Sequence, residues 1–205
     1  LSITGFINET ASDSPAPGGG SVSALSAALG VGLGAMVANL SADKRGWESK
    51  TAMFSEWAEK AQIIKEELIY LIDEDTNAFN GIMNALQMPK GTPEEKALRS
   101  EALELASIYA TEIPLKTMQV AYKGIDILKE MVEHGNPNSI TDAGVGLLCI
   151  KTAVRGAYFN VMVNAKGLNS KDKAKAMADE AKALLADNHT RIDAILQKVE
   201  EAVAF

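Results

Sequence analysis

Apolar residues recur along most of this chain at intervals of three and four positions, with polar and charged residues between them. This spacing is the period of an amphipathic α-helix. The clearest stripe lies near the C-terminus and consists of Met177, Ala181, Leu184, Ile192, Ile195 and Val199. No run of alternating apolar and polar residues flanked by hairpin turns occurs. The pattern predicts an all-α fold: a single domain over residues 1–205, built as a bundle of long antiparallel helices.

Glycines, prolines and capping residues divide the chain into helices. In the N-terminal half we predict helices over residues 2–11, over 19–42, and from near Trp47 to Gln87. In the C-terminal half we predict a helix that ends at His134 before Gly135, one over Ile140–Lys166, and one capped by Ser170 that ends near Val203. No internal repeat or long linker separates these helices, so we expect one domain.

The strongest local signal is the start of the helix after residue 91. Thr92 is a good N-cap, Pro93 suits the first helical position, and Glu95 completes a capping box. This helix is predicted to reach about Ile113, because Pro114 forces a kink or a new start.

The segment Val22–Leu40 contains no charged residue and is long enough to span a membrane. Its many alanines, glycines and serines make it only modestly hydrophobic, and no second such segment accompanies it. We therefore favour a buried core helix over a membrane span and expect no membrane partner. A helix of this kind can be surrounded by partners on all sides, including a second copy of the chain, which suggests a homo-oligomer.

Composition narrows the classes of function. The net charge is −7 and the pI about 5.0, and no basic face appears, which argues against nucleic acid as a partner. The single cysteine, Cys149, excludes an internal disulfide and fits a reducing compartment, so we expect a cytoplasmic protein. His134 and His189 have no metal-ligand spacing with each other or with Cys149, and we expect no metal site.

A glycine loop precedes the apolar helix, with Gly18, Gly19 and Gly20 leading into Ser21. Free backbone N–H groups at a helix N-terminus, with the positive end of the helix dipole behind them, can hold an anion or a polar ligand edge. The loop lacks the spaced lysine of a P-loop and the preceding strand of a dinucleotide fold. A flexible turn capped by Ser21 is an equally weighted alternative.

A carboxylate lies on an otherwise apolar helix face. On a helix, Asp75 shares its face with Leu68, Leu71, Ile72, Phe79 and Ile82. Burying a carboxylate costs several kcal/mol unless it is paired, so Asp75 is predicted either to have a partner or to face a ligand cavity. Asp73 lies on a different flank, where a solvated position is a sufficient explanation.

Further polar candidates lie in the helix predicted from residue 140. Asp142 suits the first turn, where helix capping alone could explain it. Asn160 lies five turns later, about 27 Å away along a straight helix, so the two side chains are not expected to meet one small reacting centre within one chain. Asn160 and Asn164 are one turn apart among apolar residues and need hydrogen-bond partners. Lys44, just after the apolar helix, is a candidate for binding an anion.

Six segments together resemble a known family. They are ASDSPAPGGGSVSAL, MVANLSADKRGW, LIDEDTNAFN, MPKGTPEEK, NPNSITDAGVG and GAYFNVMVN, and they cover nearly the whole chain in order. They resemble the cyclodeaminase domain of formiminotransferase-cyclodeaminase, whose relatives include stand-alone methenyltetrahydrofolate cyclohydrolases. The resemblance implies an all-helical homodimer with its site near the subunit interface.

The resemblance also assigns expected roles. Gly18, Gly19 and Gly20 match a folate-site element, Asp73, Asp75 and Asp142 match the family's recurring acids, and Asn160 and Asn164 match its paired amides. The loop through Ser21, together with Lys44, is expected to hold the pterin edge or the glutamate tail. Asp75 is the expected acid/base or charge stabiliser, with Asp73 and Asp142 assisting by orientation or across the interface.

The first expectation for function is conversion of 5-formiminotetrahydrofolate to 5,10-methenyltetrahydrofolate and ammonia. The only cofactor-like molecule is the tetrahydrofolate carrier of the substrate, and a formiminotransferase domain in a longer chain is a candidate partner. One alternative is a methenyltetrahydrofolate cyclohydrolase. The other is a helical oligomerisation or membrane module without catalysis, which would bind no folate.

Overall fold

Six α-helices make up the regular structure of residues 1–204 in the computed structural model of the protein. They are α1 (Ile3–Thr10), α2 (Gly19–Ala42), α3 (Thr51–Gln87), α4 (Pro93–His134), α5 (Ile140–Gly167) and α6 (Lys171–Val203). Single 3₁₀ turns cover Glu48–Lys50 and Pro137–Ser139. Residues 1–204 contain no β-strand, which confirms the all-α prediction.

The five long helices form two layers. In one layer α2 lies between α3 and α5, and in the other α4 packs against these three helices and against α6. Consecutive long helices run antiparallel: Ser21 meets Asp75 across α2 and α3, and Lys116 pairs with Glu67 across α3 and α4. The antiparallel bundle is therefore confirmed.

Glycines allow α2 and α5 to cross closely. A Cβ on Gly30 would lie 2.7 Å from the carbonyl oxygen of Gly146, and a Cβ on Gly146 would lie 2.9 Å from the carbonyl oxygen of Gly30. No larger residue fits at either position without moving one of the helices apart. This crossing positions the C-terminal half of α5 beside the first turn of α2.

The apolar helix α2 lies inside the bundle for most of its surface. By composition it is the one helix within residues 1–204 that could cross a membrane, with a mean hydropathy of 1.7 over an 18-residue window. The rest of the fold buries 61% of that window. This burial supports the interpretation of α2 as a core helix.

One predicted boundary and two predicted side-chain caps differ from the structure. The helix predicted from near Trp47 begins at Thr51, after a 3₁₀ turn. The start of α2 is capped by Gly18 rather than by Ser21, whose side chain is turned toward α3 instead. The N-cap of α6 is Ser170, but its hydroxyl makes no capping hydrogen bond.

A kink or a new helix start is predicted at Pro114, and the new start is wrong. The helix α4 continues through this residue from Pro93 to His134. A proline lacks the N–H that would bond to the carbonyl of the residue four positions earlier, here Ala110. The side chain of Asn164 donates to that carbonyl instead, at 2.7 Å. A side chain from α5 thus supplies the hydrogen bond that α4 cannot make itself.

Candidate functional site

A cavity of about 230 Å³ lies at the N-terminal end of α2, where this helix meets α3, α4 and α5. Its polar lining comes from the glycine loop and three side chains: Gly18, Gly19, Gly20, Asp75, Asn160 and Asn164. Its apolar wall includes Ala78, Phe79 and Ile82 of α3. Three candidates that the sequence places far apart, the loop, the acid and the amide pair, therefore line one cavity.

Asp75 is half-buried and held from one side by Ser21. The backbone N–H of Ser21 donates to Asp75 Oδ2 at 2.8 Å, and Ser21 Oγ lies 3.0 Å from the same oxygen. Within residues 1–204 no hydrogen bond is made to the other oxygen, Oδ1. Burial raises the pKa of Asp75 above its ordinary value of 3.8, and the two bonds from Ser21 oppose that rise. The result is a carboxyl group with one oxygen fixed by Ser21 and one oxygen that makes no hydrogen bond within residues 1–204.

Gly20 is required for this arrangement. A Cβ at this position would overlap with the carboxylate of Asp75. Without that Cβ, the carboxylate lies directly against the first turn of α2, where the N–H groups and the helix dipole favour a negative charge. The group held at this helix N-terminus is the chain's own Asp75, and its hydrogen bonds come from the backbone N–H and the hydroxyl of Ser21. The glycines provide the space for it.

The two asparagines are oriented by backbone carbonyls. Asn160 Nδ2 donates to the carbonyl of Gly156 at 2.9 Å, and Asn164 Nδ2 donates to that of Ala110 at 2.7 Å. A carbonyl oxygen can only accept, so each amide must present its NH₂ group to the backbone. The Oδ1 atoms remain as acceptors for a ligand. No lining residue of the cavity carries a positive charge.

Four of the predicted site residues do not line this cavity: Ser21, which is buried behind Asp75, and Asp73, Asp142 and Lys44, which lie farther away. Asp73 is exposed and lines a separate groove between α1 and α3, beside Leu1 and Phe6. Asp142 lies in the first turn of α5, about 27 Å from Asn160 along the helix axis.

Lys44 follows the C-terminal end of α2, the far end of a helix about 36 Å long. There Lys44 Nζ lies 4.0 Å from the centre of the Trp47 ring and 3.3 Å from Asn136 Oδ1. Within one chain, Lys44 cannot contact a ligand in the cavity.

Ala110 is a site residue that was not predicted from the sequence. Its carbonyl orients Asn164, and Ala110 itself lines the cavity. The available signal was Pro114, because a proline inside a helix leaves the carbonyl four residues earlier without its usual donor. The sequence does not reveal which side chain would use that carbonyl.

Comparison with known proteins gives consistent results. A sequence profile of the family described as Formiminotransferase-cyclodeaminase matches residues 2–183. The methenyltetrahydrofolate cyclohydrolase of Methylorubrum extorquens is 36% identical over 201 residues, which cover 98% of this chain and 97% of that protein. The formimidoyltransferase-cyclodeaminase of Mus musculus is 32% identical over 99% of this chain, which spans only 36% of the mouse protein.

A solved structure has the same fold. The formiminotetrahydrofolate cyclodeaminase from Thermotoga maritima superimposes with a TM-score of 0.81 and 25% identity, over 99% of this chain and 96% of that one. The profile match and the alignments with both relatives cover the cavity and every helix that forms it. The chain belongs to the formiminotransferase-cyclodeaminase family.

Proposed function

We propose that this protein is a formimidoyltetrahydrofolate cyclodeaminase, which converts 5-formiminotetrahydrofolate to 5,10-methenyltetrahydrofolate and ammonia. The observation that carries the proposal is the half-buried carboxyl of Asp75, whose Oδ1 makes no hydrogen bond within residues 1–204 and which lines a cavity whose lining residues carry no positive charge. Such a cavity favours a cationic reacting group, because a partly desolvated carboxylate interacts more strongly with it than a solvated one does.

In the proposed reaction, the substrate enters with its formimino group protonated. N10 attacks the formimino carbon, and Asp75 Oδ1 takes the proton that N10 loses. Asp75 then donates this proton to the amino group, the carbon–nitrogen bond breaks, and ammonia leaves. The methenyl bridge carries the positive charge that the formimino group brought, so charge and protons balance.

A raised pKa suits this exchange. A carboxyl group that accepts a proton and returns it works best when its pKa lies near that of its partners, and burial moves Asp75 in that direction. Ser21 holds Oδ2, so the carboxyl plane stays fixed while Oδ1 exchanges the proton. The free Oδ1 atoms of Asn160 and Asn164 can accept N–H groups of the pterin.

A second candidate is the methenyltetrahydrofolate cyclohydrolase reaction. The Methylorubrum relative of that name matches over nearly the full length of both chains, and this observation favours it. In that reaction water adds to the methenyl carbon and Asp75 takes a proton from the water. Asp75 returns this proton to N5 as the carbon–N5 bond breaks, the remaining hydroxyl proton is released to solvent, and a formyl group is left on N10. The same cationic carbon would lie against the same carboxylate.

Two parallel assays distinguish the candidates. The protein is incubated with 5-formiminotetrahydrofolate while methenyl absorbance and ammonia are followed, and separately with 5,10-methenyltetrahydrofolate while loss of that absorbance is followed. Stoichiometric ammonia and methenyl formation supports the cyclodeaminase. Efficient hydrolysis without ammonia release would replace it with the cyclohydrolase, and inactivity in both assays would refute both.

We also propose a formiminotransferase as the source of the substrate. The mouse relative carries both activities in its name, and this chain matches about a third of it. Adding a separate formiminotransferase with its formimino donor and tetrahydrofolate should then give methenyl product and ammonia. Accumulation of the formimino compound would contradict this.

A further inference from the structure

Ser21 is fully buried and lines neither of two neighbouring cavities. The first is the cavity that Asp75 lines, the Asp75 cavity. The second, the α1–α3 groove, has a volume of about 320 Å³. Ala16 lines both, so the two cavities adjoin at the loop before α2. The lining of the groove includes Phe6, Glu9, Pro17, Ile72, Asp73 and Thr76.

The hydroxyl of Ser21 has more acceptors around it than it has protons. Its Oγ lies 3.0 Å from Asp75 Oδ2, 3.0 Å from the carbonyl oxygen of Ile72 and 3.4 Å from Thr76 Oγ1. A hydroxyl can donate one hydrogen bond and accept two. Ser21 can therefore donate to the ionised carboxylate, or accept a proton from protonated Asp75 while it donates to Thr76.

Thr76 continues this row of oxygens to the groove. It follows Asp75 directly in α3, is half-buried, and lines the α1–α3 groove. Either hydroxyl of the Ser21–Thr76 pair can be the donor. The step between them is the longest in the row, and a shift of about 0.5 Å brings it to the ordinary distance of a hydroxyl hydrogen bond. The row thus begins at a carboxyl oxygen in one cavity and ends at a residue of the other.

We propose that Ser21 and Thr76 form a proton path between Asp75 and the α1–α3 groove, through which Asp75 exchanges its proton while a ligand fills the Asp75 cavity. One net proton moves in three transfers. The proton on Asp75 Oδ2 passes to Ser21 Oγ, Ser21 gives its own proton to Thr76 Oγ1, and Thr76 gives its own to solvent water in the groove. Both hydroxyls are regenerated, and Asp75 is left as a carboxylate.

The role of the path rests on the proposed function. Burial raises the pKa of Asp75, so the resting protein holds this proton up to a higher pH than an exposed aspartate does. The proposed substrate is a cation that lies against Oδ1 and interacts most favourably with the ionised carboxyl. Because this substrate fills the cavity, the proton needs a second exit. Oδ2, which contacts Ser21, provides it.

The charged groups around Asp75 favour this direction of transfer. No other titratable side chain lines the Asp75 cavity, where α5 contributes two asparagines and α4 an alanine. The helix α2 contains no charged residue. The groove side carries Glu9 and Asp73 and no basic side chain. These two carboxylates can accept a proton from Thr76, and exposed Asp73 can pass it to bulk solvent.

Carbon relaxation dispersion tests the path without any assay of turnover. Benzamidinium, a cationic amidine, is used to fill the cavity, and the carboxyl signal of Asp75 in ¹³C-labelled protein is assigned by its absence in Asp75→Asn. At a pH equal to the pKa of Asp75 in this complex, dispersion measures how fast the carboxyl exchanges its proton with solvent. In the wild type this rate should not depend on benzamidinium concentration, because the proton leaves through Ser21 and Thr76.

Thr76→Val removes the hydroxyl at similar side-chain shape and should close the path. The carboxyl then exchanges its proton only after benzamidinium dissociates, so the exchange rate should fall as benzamidinium rises, by about 10²-fold near saturation. Thr76→Ser keeps a hydroxyl and should restore the wild-type rate. Thr190→Val is the matched control, since Thr190 is an exposed helix residue of α6 whose hydroxyl donates only to the carbonyl of Ala186.

Three results would overturn the proposal. They are a wild-type exchange rate that falls with benzamidinium concentration, a Thr76→Val rate that does not fall, and a Thr76→Ser rate that follows that of Thr76→Val. An Asp75 signal that benzamidinium does not shift in the wild type would overturn it as well, because a cavity that takes no cation leaves the path without a role.

Steady-state kinetics tests the role of the path in turnover. Below the pKa of Asp75, folate that binds protonated Thr76→Val holds the proton in place, so rising folate concentration should inhibit this variant but neither the wild type nor Thr76→Ser. Above that pKa all three should have the same kcat, which a structural defect would not allow. Absence of inhibition in Thr76→Val would show that Asp75 needs no second exit. If the wild type turns over no folate, the proposed function fails, while relaxation dispersion still decides the path.

Discussion

At the scale of single residues, the site depends on a balance around one carboxyl group. Burial makes the charged form of Asp75 unfavourable, while Ser21 and the N-terminus of α2 partly compensate. The glycine at position 20 lets these groups come together. Removing the charge of Asp75 and filling the space beside Gly20 should therefore have different effects on turnover and on stability.

Asp75→Asn should lower turnover by about 10² to 10⁴-fold if this group transfers protons. It should also leave the melting temperature at pH 7 unchanged or higher, because a neutral amide is less unfavourable to bury than a carboxylate. Glu66→Gln, an exposed change on the same helix, is the control. Wild-type turnover in the Asp75→Asn variant would remove Asp75 from the mechanism.

The pH dependence of stability follows from the sign of the pKa shift. The folded state holds the proton of Asp75 up to a higher pH than the unfolded state does, so this group lowers stability as pH rises through that interval. The gain in stability of the Asp75→Asn variant over the wild type should therefore be largest above the raised pKa of Asp75. It should decrease as pH falls toward 3.8. Thermal melts of both proteins across this pH interval test the prediction. A difference in stability between them that does not change with pH would contradict it.

Gly20→Ala should displace the Asp75 carboxylate, because the added Cβ occupies its position. A misplacement of this size is expected to reduce turnover by about 10²-fold. Gly81→Ala is the matched control, since the nearest atom to its Cβ would be 4.0 Å away. That change should raise helix stability by about 0.5–1 kcal/mol and leave turnover intact. Circular dichroism distinguishes loss of the site from loss of the fold.

At the scale of helices, local signals set most boundaries, and tertiary contacts explain the exceptions. The capping box of Thr92 and Glu95 forms as predicted. Of the two outcomes predicted at Pro114, a kink or a new helix start, the new start does not occur. Asn164, 50 positions later in the chain, donates to the carbonyl that the proline leaves free. Local propensity cannot foresee a hydrogen bond whose donor arrives from another helix.

Pro114→Ala should stabilise α4 but weaken binding of the folate in the cavity. The restored N–H competes with Asn164 for the Ala110 carbonyl, so the amide loses its fixed orientation. We expect the unfolding free energy to rise by about 1–3 kcal/mol and KM for the folate to rise by about tenfold. Pro89→Ala, in the exposed turn before α4, is the control. An unchanged KM would show that Asn164 needs no such anchor.

Asn188 of α6 is fully buried, and neither of its amide atoms has a hydrogen-bond partner among residues 1–204. Replacing it with leucine removes two unsatisfied polar atoms at similar volume, so Asn188→Leu should raise the unfolding free energy by about 1–3 kcal/mol. Denaturant titration measures this, with Asn84→Leu at an exposed position as the control. A loss of stability would show that the amide is satisfied in solution.

At the scale of the whole molecule, the sequence identified the parts of the site but not how they combine. The apolar face around Asp75 and the glycine loop were both recognisable. The two are joined by the contact between Ser21 and Asp75, which lie 54 positions apart. This contact depends on the register of α2 against α3, which no local pattern specifies. Lys44 could be named as a cation, but its distance from the loop follows only from the length of α2.

The contact between Asp75 and the first turn of α2 also determines which inhibitors should suit the cavity. A helix N-terminus usually attracts phosphates and carboxylates, yet here an internal acid already occupies it. Compounds that bear an amidine or another protonated nitrogen heterocycle should therefore compete with substrate. Analogues that project an oxyanion toward the glycines should be rejected.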